Sequence, residues 1–442
     1  MTFKSYDVFD GRRDFLSSRS LAHKTQRLET LVQIKSEVNF SDFDMNFFAS
    51  DLNNNFDDMD YKVTGPKRED FRYGDCLKVT GTLSLPESSM SSKKETLYNF
   101  PYKEYLAKDN VYLLYKVKTF KKIENCPELS VYKKVKLFFL NKKQEITKIF
   151  LEKYDQPYAG LVAGVLIAGK GLMNKDTLEM FKIVSLSHVI VLSGSNVSII
   201  IFCIKYIFDL MFVVLRIREN LFVEIIKKIL IMLSITSFVL LTGGGAPIYR
   251  AFISSFCALV IFKKNTSQIY ALTIVVLIMT IVNPFGSIYD PSFHLTCCAT
   301  YGLILFSKYF DEVMIYSRLN FLPNFLREII SVTLATQVFV FPYIIFMSGS
   351  FSAIFLLSNV LVLPVIPFIM LFGFLSLFPW VDGLFIFINN ILLHAVFCVV
   401  DFLSRVPYGY VVFDMKMSVM ILLVYGVFVL GLVYKIKNTR AG

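Results

Sequence analysis

The hydrophobic positions change their rhythm along the chain. Up to about residue 125 they come in short alternating or β-branched runs, at 31–38, 45–49, 61–64, 76–85 and 111–120. Alternation with period two predicts strands with one buried face. Turn-prone Asn53-Asn54-Asn55, Gly65-Pro66 and Tyr73-Gly74-Asp75 separate the runs. Five such strands predict a small β-barrel over 31–125, and an OB-like fold is one barrel of this kind. One short helix is expected over 102–109, and residues 1–30 read as a polar lead-in.

Over 131–156 the period becomes helical. Val131, Val135, Phe138, Phe139, Ile146, Ile149 and Phe150 fall on one side, with Lys133, Lys134, Lys136, Lys142, Lys143 and Lys148 over much of the rest. This predicts a basic amphipathic helix on a membrane surface; a soluble helix packed on the barrel is the alternative. Residues 126–185 are therefore assigned as an interfacial helical segment. The apolar patch at 160–169 is too short to cross a bilayer.

Long apolar runs follow at about 186–214, 228–242, 247–262, 268–284, 291–309, 329–347, 352–378, 384–403 and 417–434. By length these are nine crossings, a transmembrane domain over 186–436 with a short tail at 437–442. The fold class is a polytopic α-helical membrane protein with some broken helices and a small amino-terminal β domain. Prolines and glycines interrupt the runs at Gly243-Gly244-Gly245, Pro247, Pro284, Pro291, Pro342, Pro364 and Pro367. Broken membrane helices are tolerated where freed backbone is covered by protein or lines a cavity.

Composition agrees with this class: 55% of the 442 residues are hydrophobic. The net charge of +11 suits an anionic partner, nucleic acid or lipid headgroups, but the positive-inside rule accounts for much of it. Arg216, Arg218, Lys227, Lys228, Lys263, Lys264, Lys308, Arg318, Arg327, Lys435, Lys437 and Arg440 fall on one side if crossings alternate. That side should be cytoplasmic, which puts the carboxyl terminus inside and the amino-terminal domain outside. Of the seven cysteines, Cys76 and Cys126 lie in the polar half. An extracytoplasmic domain would allow them to pair, with two free thiols as the default. No signal peptide stands over residues 1–30.

Polar residues recur inside the apolar runs. The stretch from Ser185 to Ile201 carries His188, Ser193, Gly194, Ser195, Asn196 and Ser198. Small residues and hydroxyls also serve tight helix packing; His188 and Asn196 favour a polar interior. Arg250, Asn283, Asp290, His294, Gln337 and Asn359 lie near the other breaks. Taken singly, Arg250 can snorkel to an interface and His294 can be a hydrogen-bonded core residue. Their presence on several helices favours a shared polar path. No nucleophile with a base, no paired carboxylates and no zinc spacing stand out, so no enzyme, metal or cofactor is expected. Gly243-Gly244-Gly245 lacks the Lys and Ser/Thr of a P-loop.

The ordered set of motifs resembles the ComEC/Rec2 competence family, which carries incoming DNA across the inner membrane. The family helix H-x-x-A-x-S-G-x-H-V stands as His188-Val189-Ile190-Val191-Leu192-Ser193-Gly194-Ser195-Asn196-Val197. Thr242-Gly243 with Arg250-Ala251 is similar to the next motif, and Asn283-Pro284 with Pro291-Ser292-Phe293-His294-Leu295-Thr296 to the one after it. Gln337, Pro342, Asn359 and Pro364 complete the order over about 160–410. Tyr73-Gly74-Asp75 with Val79-Thr80-Gly81, and Asn99-Phe100-Pro101-Tyr102-Lys103-Glu104-Tyr105-Leu106, resemble the family's OB-like domain.

The departures are specific. The second motif histidine is Asn196, which argues against a metal or required proton relay there. The motif serine is Thr296, which keeps the hydroxyl. Members usually begin with membrane helices, which are missing before residue 31, as if from a late start codon or a split gene. Many end in a metallo-β-lactamase-like domain; this chain has four histidines and no H-x-H-x-D-H, so no nuclease of that type is expected.

The resemblance implies a channel for single-stranded DNA during natural transformation. Its path would use His188, Ser193, Gly194, Asn196, Gly243, Arg250, His294, Thr296, Gln337 and Asn359. On the outer domain, Lys62, Lys67, Arg68, Phe71, Arg72 and Tyr73 are candidate DNA contacts, a solvated loop being the plainer reading of most. Membrane lipids and separate DNA receptor, nuclease and motor proteins are the implied partners; the oligomeric state is left open. The alternatives are a small-solute transporter, for which no inverted repeat is visible, and a membrane enzyme using Asp290 and His294.

Overall fold

The computed structural model describes residues 26–40, 44–52, 60–68, 71–86, 101–123, 126, 130–190, 194–214, 216, 220–244, 246–260, 268–316, 321–380, 382–413, 417–423, 425–426 and 429. They divide into two compact units. The first holds the described residues of Met1–Ser91, Phe100–Gln144 and Met279–Asp290; the second holds those of Glu145–Ile278 and Pro291–Gly442.

The first unit is built on a six-stranded sheet of β1 (Gln26–Ile34), β2 (Asn39–Phe40), β3 (Asp44–Asp51), β4 (Asp60–Pro66), β5 (Cys76–Ser84) and β6 (Val111–Ile123). The strand order is β1-β5-β6-β4-β3-β2, and β1 also pairs with β3. Among the described strands only β4 and β6 run parallel. The expected alternation is present: Met45, Phe47 and Ala49 on β3, and Val111, Leu113, Tyr115 and Val117 on β6, turn inward. Gly81 of β5 faces the β6 backbone, where a Cβ would lie 2.7 Å from Val117 Cα. Helix α1 (Tyr102–Ala107) precedes β6 and buries Leu106 and Ala107.

Cys76 and Cys126 are joined in a disulfide with their Cα atoms 5.7 Å apart, which corrects the default of two free thiols. The cause is register. β5 and β6 run antiparallel with Cys76 opposite Ile123, so the chain leaving β6 passes Cys76 three residues later.

Helix α2 (Val131–Lys153) is unbroken over 23 residues. Its Lys143 is only 1% exposed and bonds Glu37, beside the sheet, at 2.6 Å. That pair ties Lys143 to the sheet within the first unit, while Val131, Val135 and Phe138 stay exposed on another face.

In the second unit the core gathers around α3 (Tyr158–Ile167), whose residues from Ala159 onward are all buried. A helix apolar on every side is stable only when enclosed, so the patch too short to span became the centre of the unit. A Cβ at Gly164 would sit 2.7 Å from the Ile190 carbonyl oxygen, so glycine permits the close approach. Helices α4 (Lys175–Ile183), capped by Asn174, and α5 (Ser187–Ile190) follow.

Then come α6 (Gly194–Val214), α7 (Leu221–Thr242), α8 (Ala246–Val260) and α9 (Gln268–Val282), whose last residues belong to the sheet unit. The short α10 (Pro284–Tyr289) belongs there as well. Helices α11 (Pro291–Tyr316), α12 (Asn324–Ser348), α13 (Phe355–Val362), α14 (Ile366–Leu375) and α15 (Asp382–Ser404) complete the second unit, with strands β7 (Ser350–Ser352) and β8 (Tyr410–Val412) paired.

Among the described residues, four segments are long and apolar enough to cross a bilayer: Phe222–Thr242, Asn324–Ser348, Phe355–Leu375 and Asp382–Ser404. They coincide with four of the nine expected crossings. The third is interrupted between α13 and α14 at Pro364, which cannot donate to a helical hydrogen bond. Pro342, in contrast, lies within an unbroken α12. Pro284 and Pro291 begin helices, where the missing N–H costs nothing.

Candidate functional site

Helix α7 ends on Gly243, a left-handed cap with φ of 80°. Glycine accepts this conformation without a Cβ penalty, and α8 starts three residues later. Arg250 lies in its second turn. Its Nη1 donates to the Thr296 carbonyl oxygen of α11 at 3.0 Å and also to the Thr300 hydroxyl. Thr300 in turn donates to that same carbonyl, at 2.8 Å. Among the described residues no carboxylate pairs with Arg250. Its positive charge is held by neutral oxygens, and a half-buried cation so held favours an anion nearby.

Two further groups lie on α11 and α12. His294 Nδ1 is 2.9 Å from the Tyr343 hydroxyl, with the rings edge to face. Gln337 has a shielded Oε1 that accepts no hydrogen bond. The two helices approach closely because Gly302 faces the Ala335 carbonyl oxygen with no room for a Cβ. Thr300 and Tyr343 were missed in the sequence. Thr300 stands one turn after Thr296 on the same face, which is the signal that could have found it.

The remaining candidates are dispersed. His188 is exposed on α5, its ring held by the Ser185 carbonyl at 3.2 Å. Ser193 lies outside the described residues; Gly194 begins α6, and Asn196 is buried in its first turn. Asn359 is buried in α13 with an unpartnered Oδ1, while its neighbour Ser358 bonds the Val184 carbonyl at 2.6 Å. Among the described residues no cluster of His, Cys, Asp and Glu is arranged to hold a metal ion.

In the sheet unit, Phe71 and Tyr73 are 2% and 7% exposed. Phe71 packs on Phe120 at 5.4 Å, and Lys136 lies over the Tyr73 ring at 5.1 Å. Neither ring is open to stack on a base, because packing within the unit already covers both. Lys62 bonds the Tyr102 hydroxyl at 2.9 Å, whereas Lys67, Arg68 and Arg72 are exposed.

Asp290, which the enzyme reading pairs with His294, bonds Lys108 at 2.7 Å. Asn283 caps α10 and donates to the Lys108 carbonyl at 3.2 Å. Burial opposes the Lys108 charge, but Tyr105 and Asp290 outweigh it and its pKa is raised. Desolvation by its surroundings pushes the Asp109 carboxyl up, with Lys108 and Lys136 acting against it. Burial also lowers Lys136, opposed by Asp109.

No solved structure matches the chain. A curated relative, "ComE operon protein 3" of Bacillus subtilis (strain 168), is 24% identical over 337 residues. The match takes in 72% of this chain and 39% of the relative, so the chain spans about two fifths of that protein's length. The family model described as "Competence protein" matches residues 165–438, more than half of the chain, and takes in the membrane motifs from His188 to Pro364. By that match the chain belongs to the competence protein family.

Proposed function

We propose that the chain is the membrane conduit for one strand of DNA during natural transformation. A strand carries one negative charge per nucleotide, so its route must be wet, polar and positive. The observation that carries this reading is Arg250: a cation at an α7–α8 break, held by neutral oxygens of α11 with no carboxylate beside it among the described residues. Thr296, Thr300 and Gln337 add neutral groups that hold a strand weakly, which permits movement. Nine crossings, with the sheet unit outside and the carboxyl terminus in the cytoplasm, complete the reading.

The outer unit is read as an OB-like barrel. Its pairings run from β1 through β5, β6, β4 and β3 back to β1, with the single parallel pair that a closed five-strand Greek key requires. Lys67, Arg68 and Arg72 would meet the incoming strand, with a receptor, a nuclease and a motor supplied by other chains. Anionic lipid is the expected neighbour of α2.

The test is deletion of the gene in a transformable host, followed by measurement of labelled DNA entering the cytoplasm. Entry should stop and return on complementation. Entry at the parental rate would refute the conduit.

A further inference from the structure

Helix α15 carries an outward polar row that the DNA path does not use. Asn390, His394 and Cys398 recur every four residues, on one face with Phe387 and Ile391. The row lies on a segment apolar enough to cross a bilayer. Polar groups on such a segment are costly unless something polar covers them.

The row borders a cavity of about 370 Å³, open on its outer side, lined by Asp155, Tyr158, Phe387, Asn390, Ile391 and His394. The walls are already organised. The Tyr158 hydroxyl lies 3.0 Å from His394 Nδ1, and His394 Nε2 lies 3.4 Å from Cys398 Sγ. Tyr158 is seated on Phe397 with ring centroids 5.3 Å apart. The Asp155 side chain forms no ion pair among the described residues, and Asn390 has a shielded Oδ1 that accepts no hydrogen bond. The lining holds no lysine or arginine.

We infer that this cavity binds a primary ammonium group, with the Asp155 carboxylate as counter-ion and the Tyr158 and Phe387 rings beside it. A carboxylate next to aromatic rings recognises organic cations through charge and the ring quadrupole. The ammonium has two sources, an ethanolamine phospholipid headgroup or a soluble polyamine.

The test uses the full chain purified in detergent. One arm measures retention of labelled phosphatidylethanolamine against phosphatidylglycerol; the other measures spermidine by equilibrium dialysis. Each is repeated on Asp155→Asn and on His394→Gln, with thermal melting to confirm folding. Binding in either arm that falls about tenfold or more in Asp155→Asn supports the site, roughly the loss of one charge-assisted contact. The arm that responds names the source. Retention of neither amine, or equal binding by wild type and a folded Asp155→Asn, overturns it. DNA entry is a separate readout, so either reading can fail alone.

Discussion

Lys108 Nζ donates to Asp290 Oδ2 at 2.7 Å, joining positions 182 residues apart in the sequence. The two side chains are 13% and 8% exposed. Lys108 also lies over the Tyr105 ring at 4.0 Å, and Asn283 takes hold of its carbonyl. Asn283 and Asp290 flank α10, so one short helix is tied at both ends to the turn after α1.

Breaking this pair from one side should leave a buried charge uncompensated. Lys108→Ala or Asp290→Asn should each destabilise the folded chain by about 3 kcal/mol, whereas Lys108→Met with Asp290→Leu should cost far less. Denaturant unfolding of the full chain in detergent measures all three. A double variant as unstable as the singles would argue that the pair supplies more than charge compensation.

Asp109 should impose a pH dependence. Its side chain is exposed but partly desolvated by its surroundings, which raises its folded pKa above the ordinary 3.8, so the folded state holds the proton more tightly than the unfolded one. Its contribution is complete below pH 3.8 and is lost as pH rises through the raised value. Melting temperatures recorded upward from pH 3.8 should fall more steeply for wild type than for Asp109→Asn. Parallel curves would contradict the assignment.

The Cys76–Cys126 disulfide closes a loop with a sequence separation of 50. Loop-closure entropy for that length corresponds to about 4 kcal/mol. Cys76→Ser should lower the denaturant midpoint of the sheet unit, and reductant should do the same to wild type while leaving the variant unmoved. Identical midpoints with and without reductant in wild type would count against the bond.

Arg250 should be sensitive to shape as well as charge. Arg250→Ala should cut DNA entry about tenfold or more at normal expression, the loss of one charge-assisted contact. Arg250→Lys should restore only part of it, because the shorter side chain and more strongly hydrated ammonium do not put a donor where Arg250 Nη1 meets both the Thr296 carbonyl and the Thr300 hydroxyl. Full entry with Ala would remove Arg250 from the path.

The sequence by itself determined element type and class. Alternation is a local property, so the strands of β3 to β6 were readable before their partners were known, and length with hydropathy sufficed for the four spanning segments. The ordered motifs carried the family in the same way. Tertiary structure alone decided which side chains meet. The 160–169 patch fails every length criterion for a span, yet α3 is enclosed because neighbouring helices bury its whole circumference. Phe71 and Tyr73 look like a solvent-facing aromatic pair in a charged loop, but the folded unit buries both. Asp290 and His294 sit four apart and invite pairing, yet Lys108 takes the carboxylate and Tyr343 the imidazole. Periodicity records which face of a segment is apolar; the partner of a buried charge is set by long-range packing, which no local pattern encodes.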